Sequence, residues 1–391
     1  MSFLEPLSYD IVIVGGGAAG FFTAINAAEI APEAKICILE RGKEVLTKVR
    51  ISGGGRCNVT HAEFMPKELT KNYPRGEKEL RGPFHNFMTG DTIEWFEKRG
   101  VPLKIEEDGR MFPESNSSET IIDLFLQECK RLKIEVLTKR AVQALQQRND
   151  LWEISTSQES FKAKKVLIAT GSNPKMWSML QDLGHSIVPG VPSLFTFNIT
   201  DSRIKELPGV ATNAEVRLKR TKLETSGPLL VTHWGMSGPA ILKLSAWGAR
   251  ELSAKKNFEI EVNWLPDTSS EDVEEELLRL KQENAKQSPH KYAQFQLPKR
   301  LWQSLLLASG IESEMRWADL NKQQLEELEQ QLTHGTFQVH GKSTFKEEFV
   351  TAGGVELKEV NFKTFESKVC KNLFLAGEVL NIDAITGGFN F

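Results

Sequence analysis

The sequence predicts an α/β fold with a parallel sheet, interrupted by a β-rich segment and a helical insertion. Residues 9–20, YDIVIVGGGAAG, combine an aliphatic strand with a GxGxxG turn that opens an apolar helical pattern. A second strand-like run ends at Glu40, and two later aliphatic runs, 165–169 and 373–376, each lead towards a glycine. A strand, a glycine turn, a helix and a strand with an acidic end form the βαβ unit that binds dinucleotides.

The three spaced glycines have distinct predicted roles. Gly15 permits the tight turn, Gly17 lets the backbone approach a pyrophosphate, and Gly20 lets the helix pack closely on the strand. The N-terminal N–H groups of the helix then face the phosphates. Glu40 is expected to accept hydrogen bonds from a ribose diol.

Length and composition exclude several classes of protein. A chain of 391 residues predicts two or three domains, and 40% hydrophobic with 26% charged residues is typical of a soluble globular protein. The net charge of −3 provides no general attraction to nucleic acid or to a membrane. The four cysteines form no CxxC pair, which argues against a disulfide framework, a metal site and a redox-active dithiol.

No targeting or membrane segment is predicted. The N-terminal residues, MSFLEPLSYD, lack the basic start and long apolar run of a signal peptide. No stretch of the sequence has enough consecutive apolar residues to cross a bilayer. We therefore expect a cytoplasmic protein.

A loop with three consecutive glycines, SGGGRCN at 52–58, follows the βαβ unit. Such a run does not form a stable helix or a packed strand. It is either a flexible surface loop or a segment whose backbone lies against a flat ligand, with Lys48, Arg50 and Arg56 offsetting phosphate charge. Cys57 is either a nucleophile or, in keeping with the lack of a paired cysteine, a packing residue.

The rest of the first 190 residues alternates between helices and short strands. Amphipathic patterns predict one helix within 84–99 and another that ends at Arg131, after cap residues at 115–118. Strands are predicted, in order, at 134–137, 141–145, 152–156, 161–163 and 165–169. The carboxyl end of the last strand is expected to face the nucleotide crevice.

From about residue 189 the pattern changes. Alternating segments at 194–199, 214–219 and 229–232 predict a small antiparallel barrel or sheet, followed by a helix over 240–254. Residues 269–333 are charged and helical in pattern. We predict three parts: a dinucleotide-binding domain from 1–190 and 345–391, a β-barrel domain from 191–268 and 334–344, and a helical insertion at 269–333.

Seven motifs, in order along nearly the whole chain, resemble the BaiN-like family of bacterial flavoproteins, which are NAD(P)/FAD-dependent oxidoreductases. The motifs are IVGGGAAG (13–20), SGGGRCN (52–58), GRMFP (109–113), IATGS (168–172), THWGMSGPAIL (232–242), EEFVTAGGV (347–355) and LAGEVLNIDAITGGFN (375–390). The resemblance implies a Rossmann-like FAD-binding domain of the two-dinucleotide-binding type, interrupted by a β-barrel and a helical domain.

The resemblance also implies where FAD would lie. The GxGxxG turn would hold the pyrophosphate, Glu40 the adenosine ribose, and the Val142 backbone the adenine. Residues at 48–58 would lie along the flavin, and residues at 377–390 would contact the ribityl chain and isoalloxazine. The predicted cofactor site consists of Gly15, Gly17, Ala18, Ala19, Gly20, Glu40, Arg41, Lys48, Gly54, Gly55, Arg56, Cys57, Asn58, Val142, Thr170, Gly171, Gly377, Glu378, Asp383, Gly387, Gly388 and Asn390.

The implied chemistry is a ping-pong cycle. NAD(P)H, bound transiently, would reduce FAD, and the flavin N5 would pass a hydride to a polarised double bond. Backbone N–H groups near Gly387 and Gly388 would stabilise negative charge on the reduced flavin. His233 and, less favourably, Cys57 and Glu378 are the catalytic candidates, although a histidine that only caps structure beside Trp234 fits the same pattern. In relatives the chain continues past the last motif into a helix, whereas this sequence ends at Phe391.

The sequence does not identify the substrate. The resemblance implies either a steroid-like small molecule or a uridine of ribosomal RNA that is reduced to dihydrouridine. Basic clusters at 217–222 and 291–300 are either an RNA surface or ordinary solvated faces. A different class is an FAD-binding sensor without turnover, with the helical insertion as its partner surface.

Overall fold

A computed structural model describes residues 6–343 and 350–391. The chain divides into two compact units, Met1–Val191 with Val350–Phe391, and Pro192–Phe349. The predicted domain boundary at 344/345 and the start of the EEFVTAGGV motif lie outside the described residues.

The strands are numbered in chain order. They are β1 Leu7–Val14, β2 Ile36–Leu39, β3 Thr60–His61, β4 Leu103–Ile105, β5 Arg110–Pro113, β6 Glu135–Leu137, β7 Val142–Arg148, β8 Leu151–Thr156, β9 Ser160–Ile168, β10 Ile187–Ser193, β11 Thr196–Asn198, β12 Ala211–Leu218, β13 Glu224–Thr232, β14 Gly235–Ser237, β15 Phe258–Asn263, β16 Gly335–Val339, β17 Gly341–Ser343, β18 Val350–Val355, β19 Val360–Asn361, β20 Glu366–Ser367 and β21 Leu373–Leu375.

The helices are numbered in the same way. They are α1 Ala18–Ile30, α2 Thr47–Gly55, α3 Pro66–Thr70, α4 Glu77–Phe84, α5 Thr89–Glu97, α6 Ser118–Arg131, α7 Pro174–Asp182, α8 Ser202–Lys205, α9 Pro239–Trp247, α10 Ala249–Ser253, α11 Ser270–Glu283, α12 Lys299–Ala308 and α13 Lys322–Thr333.

The centre of the first unit is a parallel sheet in which β1 lies between β2 and β9. Ile13 pairs with Ile38 on one side and with Leu167 on the other. β6 extends the sheet beyond β2, and β21 pairs in parallel with β9. A strand from near the C-terminus therefore joins the sheet that the first strand begins, and the predicted α/β fold is confirmed.

Side chains of β1 pack into two different cores, because successive residues of a strand face opposite sides of the sheet. Ile13 lies in a core with Phe21 of α1. Val12 and Val14 lie in a second core with Trp177 of α7. The sheet is thus covered on both faces, which leaves the ends of its strands as the edges open to a ligand.

The structure differs from the predicted elements in two places. The strands predicted at 161–163 and 165–169 are one strand, β9, because the exposed Lys164 and Lys165 interrupt the apolar pattern without interrupting the ladder. The helix predicted over 240–254 is divided at Gly248 into α9 and α10.

The second unit joins an antiparallel sheet to the charged helices. Its strand order is β16-β15-β12-β13-β14-β11-β17. β16 and β17 are the two outer strands of this sheet, yet only His340 separates them in the chain. The sheet must therefore curve so that its two edges come close together. No strand pairing joins β16 to β17 among the described residues. One core contains Val216 of the sheet together with Leu305 and Leu328 of the helices. The division of this unit into a barrel and a helical insertion stays a prediction.

A buried hydrogen-bond network in the first unit links His185, Glu359 and Ser367. His185 Nδ1 lies 3.2 Å from Glu359 Oε2, and its Nε2 lies 3.0 Å from the Ser367 hydroxyl. Ser367 Oγ also accepts hydrogen bonds from the N–H groups of Val369 and Cys370. Burial lowers the pKa of His185, against the opposing effect of Glu359. A neutral ring satisfies the network, since one nitrogen donates to the carboxylate and the other accepts from the hydroxyl.

Acid should destabilise the protein through His185. Its pKa in the folded state lies below the unfolded value of about 6.5, so at lower pH the unfolded state binds more protons and the free energy of unfolding falls. One such group contributes at most about 1.4 kcal/mol per pH unit. Urea unfolding of the wild type and of His185→Gln should therefore give different pH slopes below about pH 6.5. Identical slopes for the two proteins would contradict this role of His185.

Candidate dinucleotide site

The carboxyl ends of four parallel strands meet at one edge of the sheet in the first unit. The Ala169 N–H, just after β9, donates to the Val14 carbonyl at 2.8 Å. The Ala376 N–H, just after β21, donates to the Ile168 carbonyl at 3.1 Å. The turns after β1, β2, β9 and β21 therefore lie side by side, where open α/β sheets bind their ligands.

The glycines of the first turn differ in their surroundings. A Cβ on Gly15, whose φ is +120°, would lie 2.3 Å from the Ala169 carbonyl oxygen. A Cβ on Gly20 would lie 2.1 Å from the Gly15 carbonyl oxygen. By contrast, no described protein atom lies within 4 Å of a Cβ built on Gly17. The positive φ of Gly15 agrees with the tight turn predicted there, and the contact at Gly20 agrees with the close packing of the helix on the strand. Gly17 leaves room for another molecule to approach the backbone.

The first turn of α1 offers hydrogen-bond donors at the same place. Gly17 is its N-cap residue and provides no side-chain hydrogen bond to the helix. The N–H groups at the start of α1, around Ala18 and Ala19, have no carbonyl partner within the helix. An uncapped helix N-terminus beside an uncrowded glycine fits a pyrophosphate, and FAD and NAD(P)H both contain this group.

Glu40, at the end of β2, is held against the glycine turn. Its Oε2 accepts from the Gly16 N–H at 2.9 Å, and its Oε1 accepts from the Gly42 N–H at 2.6 Å. Each carboxylate oxygen retains a second lone pair, so these bonds are compatible with a ribose contact, which stays a prediction. The neighbouring Arg41 is exposed.

Three more predicted residues lie along this edge. The Arg140 N–H donates to the Glu40 carbonyl at 2.8 Å, which places Val142, the first residue of β7, close to the end of β2. Thr170 and Gly171 form the turn after β9, and Gly171 has a φ of +62°.

The turn after β21 closes against the others. A Cβ on Gly377 would lie 3.2 Å from the Cβ of Ala19 in α1. Glu378 Oε1 accepts from the Thr351 N–H at 3.1 Å, and its Oε2 accepts from Lys48 Nζ at 2.8 Å. The predicted residues Lys48, Gly377 and Glu378 are thus brought together at the N-terminus of α1.

The triple-glycine run interrupts the end of α2. Ser52, Gly53 and Gly54 have non-helical backbone angles, and both glycines adopt the left-handed conformation. This agrees with the prediction that the run does not form a stable helix. A Cβ on Gly53 would lie 3.0 Å from the Phe112 ring.

The two arginines of this segment have protein partners. The Arg56 guanidinium stacks 3.8 Å from the centroid of the Phe112 ring and donates to Glu106 at 2.6 Å. Arg50, predicted to offset phosphate charge, pairs with Glu119. Gly55 also has a positive φ.

Cys57 and Asn58, which follow α2, have structural partners. Cys57 is completely buried, and burial raises the pKa of its thiol to about 12. This environment suits a packing residue, since the thiolate is the nucleophilic form. With its amide oriented to satisfy its neighbours, Asn58 donates to the Thr60 and Met111 carbonyls and accepts from the Gly388 N–H at 3.0 Å.

The C-terminal glycine turn packs on β3. A Cβ on Gly388, whose φ is +101°, would lie 2.4 Å from the Thr60 carbonyl oxygen. Because its N–H donates to Asn58, Gly388 is less suited than Gly387 to stabilising charge on a ligand. The Asn390 side chain donates to the Ala384 and Ile385 carbonyls and so closes the preceding loop on itself.

Asp383 has a partner that the sequence did not indicate. Its fully buried side chain forms a two-point ion pair with Arg75, in which Nε lies 2.5 Å from Oδ1 and a terminal guanidinium nitrogen contacts Oδ2. The two residues also form a backbone bridge. The ligand contact predicted for Asp383 stays a prediction, and its carboxylate anchors the C-terminal segment.

Sequence reasoning missed His61 and Tyr73. His61 Nδ1 lies 2.8 Å from the Gly387 carbonyl oxygen, and the Tyr73 hydroxyl donates to the Phe389 carbonyl at 2.7 Å. The one available signal was the position of His61 shortly after the SGGGRCN motif. Nothing in the sequence singled out Tyr73.

His233, the foremost catalytic candidate, lies in the second unit. It is exposed in the two-residue turn between β13 and β14, next to Trp234, which is 68% exposed. The helix that this segment was expected to cap begins at Pro239, with Gly238 as its N-cap. The catalytic role of His233 stays a prediction.

The residues that the structure describes contain no group of three or more His, Cys, Asp or Glu side chains placed to hold a metal ion. None of their helices is both long enough and apolar enough to cross a membrane.

Comparisons with known proteins identify the family. The model of the HI0933-like protein Rossmann domain matches residues 9–391. The 3-dehydro-bile acid delta(4,6)-reductase of Clostridium scindens is 27% identical over 97% of this chain and 95% of its own. The ribosomal RNA dihydrouridine synthase of Haemophilus influenzae is 28% identical over 97% of this chain and 94% of its own.

A solved structure shows the same fold over almost the whole chain. The 3-ketosteroid-delta4-(5alpha)-dehydrogenase of Rhodococcus jostii RHA1 is 13% identical, has a TM-score of 0.50, and is matched over 99% of this chain and 94% of that one. At this identity the likeness concerns the fold alone. The resemblance drawn from the motifs is confirmed, and this chain belongs to the HI0933-like family of FAD-dependent oxidoreductases.

Proposed function

We propose that the protein is a reductase that uses NAD(P)H and bound FAD to saturate a polarised carbon–carbon double bond. The observation that carries the proposal is the edge at which Gly17, the N-terminus of α1, Glu40 and Glu378 meet. A long dinucleotide suits an edge built from both ends of the chain, since β21 brings Gly377 and Glu378 beside α1. FAD would supply the hydride chemistry.

The residues would divide the work of binding between the two ends of the cofactor. Gly17 and the first turn of α1 would hold the pyrophosphate, and Glu40 the ribose. Lys48, beside Glu378, would offset phosphate charge, while Asn58 and Gly387 would lie towards the flavin.

The names of the relatives support a common reaction. A delta(4,6)-reductase and a dihydrouridine synthase both reduce a carbon–carbon double bond, one in a bile acid and the other in a nucleobase. The basic cluster around Arg217 favours a small molecule over RNA, because Glu224 lies 2.9 Å away, with Glu215 and Glu261 at 3.8 and 3.9 Å. We therefore propose a small, conjugated carbonyl compound as the substrate.

Spectroscopy of the purified protein tests the proposal. Added FAD should bind and show the visible spectrum of a flavin, and NADH or NADPH should bleach it anaerobically. A conjugated enone added next should restore the spectrum. A protein that binds no FAD would contradict the proposal, and bound FAD that NAD(P)H and an acceptor cannot cycle would favour a sensor.

Ribosomal RNA distinguishes the two kinds of substrate. Dihydrouridine content should be the same in ribosomal RNA from cells with and without the gene if the substrate is a small molecule. Loss of a dihydrouridine on deletion would instead favour RNA, with the exposed Lys291 and Lys299 as candidates for its binding surface.

Gly17→Ala should weaken FAD binding without destabilising the protein. The φ of Gly17 is −94°, which alanine adopts freely, and no described atom crowds the new methyl group. If a pyrophosphate lies against Gly17, the methyl group should raise the Kd at least about tenfold, or about 1.4 kcal/mol. Fluorescence titration with FAD measures the change.

Gly90→Ala is the matched control for this variant. Gly90 is exposed in α5 and is also uncrowded. Its replacement should leave the Kd unchanged. Equal affinities of the two variants would show that the ligand does not approach Gly17.

A further inference from the structure

Three consecutive residues of the C-terminal glycine turn are held by side chains from one segment, residues 58–73. His61 Nδ1 lies 2.8 Å from the Gly387 carbonyl oxygen. The side-chain oxygen of Asn58 accepts from the Gly388 N–H, and the Tyr73 hydroxyl donates to the Phe389 carbonyl. Each of the three residues thus has one backbone group hydrogen-bonded to a side chain, and these bonds fix the turn without β-strand pairing.

Packing reinforces these hydrogen bonds. The His61 ring stacks on the Phe389 ring, with centroids 4.5 Å apart and an interplanar angle of 30°. Tyr73 and Phe389 are each 8% exposed, and burial raises the pKa of Tyr73, so its hydroxyl remains a donor. His61 Nδ1 must carry a proton, because the Gly387 carbonyl only accepts. The turn is therefore held by protein groups alone among its described contacts.

We infer that His61 and Tyr73 are positioning residues that, together with Asn58, hold Gly387 and Gly388 as a preformed wall of the flavin site. The inference rests on the proposed function. The Gly388 N–H donates to Asn58. The Gly387 N–H, by contrast, has no hydrogen-bond acceptor among the described residues. A fixed, desolvated N–H group stabilises negative charge that develops on a bound cofactor when it is reduced.

Three variants separate the positioning role from simple packing. His61→Phe keeps an aromatic ring against Phe389 but loses the donor, and His61→Asn keeps a donor near the position of Nδ1. Tyr73→Phe removes only a hydroxyl group. Tyr292→Phe, at a tyrosine that is 60% exposed in the second unit, is the matched control.

The affinity for FAD and the midpoint potential of the bound flavin are both measured on the full chain. We expect His61→Phe and Tyr73→Phe to raise the Kd about five- to tenfold, the effect of losing one net hydrogen bond. The reduced cofactor should lose more affinity than the oxidised form, and each tenfold difference lowers the potential by about 30 mV. His61→Asn and Tyr292→Phe should stay within about twofold of the wild type in Kd, well short of one hydrogen bond.

A purely structural role predicts a different result. His61→Phe and Tyr73→Phe would then lower the unfolding temperature of the FAD-free protein but leave the Kd and the potential unchanged. That result would overturn the inference but not the proposed function. If the wild type itself binds no FAD, the proposed function fails, and the inference fails with it.

Discussion

Asp383→Ala is expected to lower the free energy of unfolding by about 3 kcal/mol, at the lower end of the range for breaking a buried ion pair. The Asp383 side chain is fully buried, and it holds Arg75, whose side chain is 13% exposed, at two points. Removal of the carboxylate leaves that guanidinium in a site with little access to water. The lower end of the range applies because Arg75 retains some solvent contact.

Urea unfolding measures this loss, and a surface ion pair provides the control. Lys322 and Glu326 are four residues apart on α13, and their side chains are 86% and 59% exposed. Glu326→Ala should change stability by no more than about 0.5 kcal/mol. If Asp383→Ala costs no more than the control, Asp383 does not anchor the C-terminal segment. FAD affinity should fall along with stability, because the same segment continues to Gly387 and Gly388.

Gly20→Ala is expected to be strongly destabilising. The new Cβ would lie 2.1 Å from the Gly15 carbonyl oxygen and 3.3 Å from an Ile13 methyl group. Helix propensity alone would favour alanine at this position by up to about 1 kcal/mol. A clash with backbone outweighs that gain, because α1 must move away from β1. We expect a net loss of about 3 kcal/mol, at the upper end of overpacking costs.

The Gly20 and Gly17 variants make a matched pair. Gly20→Ala should lower both the stability of the FAD-free protein and the affinity for FAD, whereas Gly17→Ala should lower the affinity alone. Circular dichroism during urea unfolding and fluorescence titration give the two quantities. A Gly20→Ala protein as stable as Gly17→Ala would show that the helix and the strand are not held at the contact that the structure gives.

The βαβ unit can be predicted from the sequence because its information is local. The apolar alternation of β1, the spacing of Gly15, Gly17 and Gly20, and Glu40 lie within one short stretch. The same reasoning places β21 in this sheet, since an aliphatic run before a glycine turn is a local pattern. The same reasoning wrongly divides β9 into two strands, because two exposed lysines interrupt its apolar pattern. Only the pairing with β1 shows that the strand is continuous.

The partners that hold the C-terminal segment are not predictable in this way. Arg75 and Asp383, or Tyr73 and Phe389, meet only because the chain returns to the first sheet after the whole second unit. A motif assigns a residue such as Asp383 to a ligand with no information on a protein partner so far away in sequence. The same limit applies to Cys57, whose burial depends on a core made of several elements.

The position of β21 so late in the chain bears on how the protein folds during synthesis. β1 covers one side of β9, while the other side is shared by β8, beside residues 160–163, and β21, beside Val166, Leu167 and Ile168. Until the ribosome has made β21, these three apolar positions form an unpaired strand edge of the kind that promotes aggregation. The nascent first unit must therefore wait until the second unit has been synthesised before its sheet is complete.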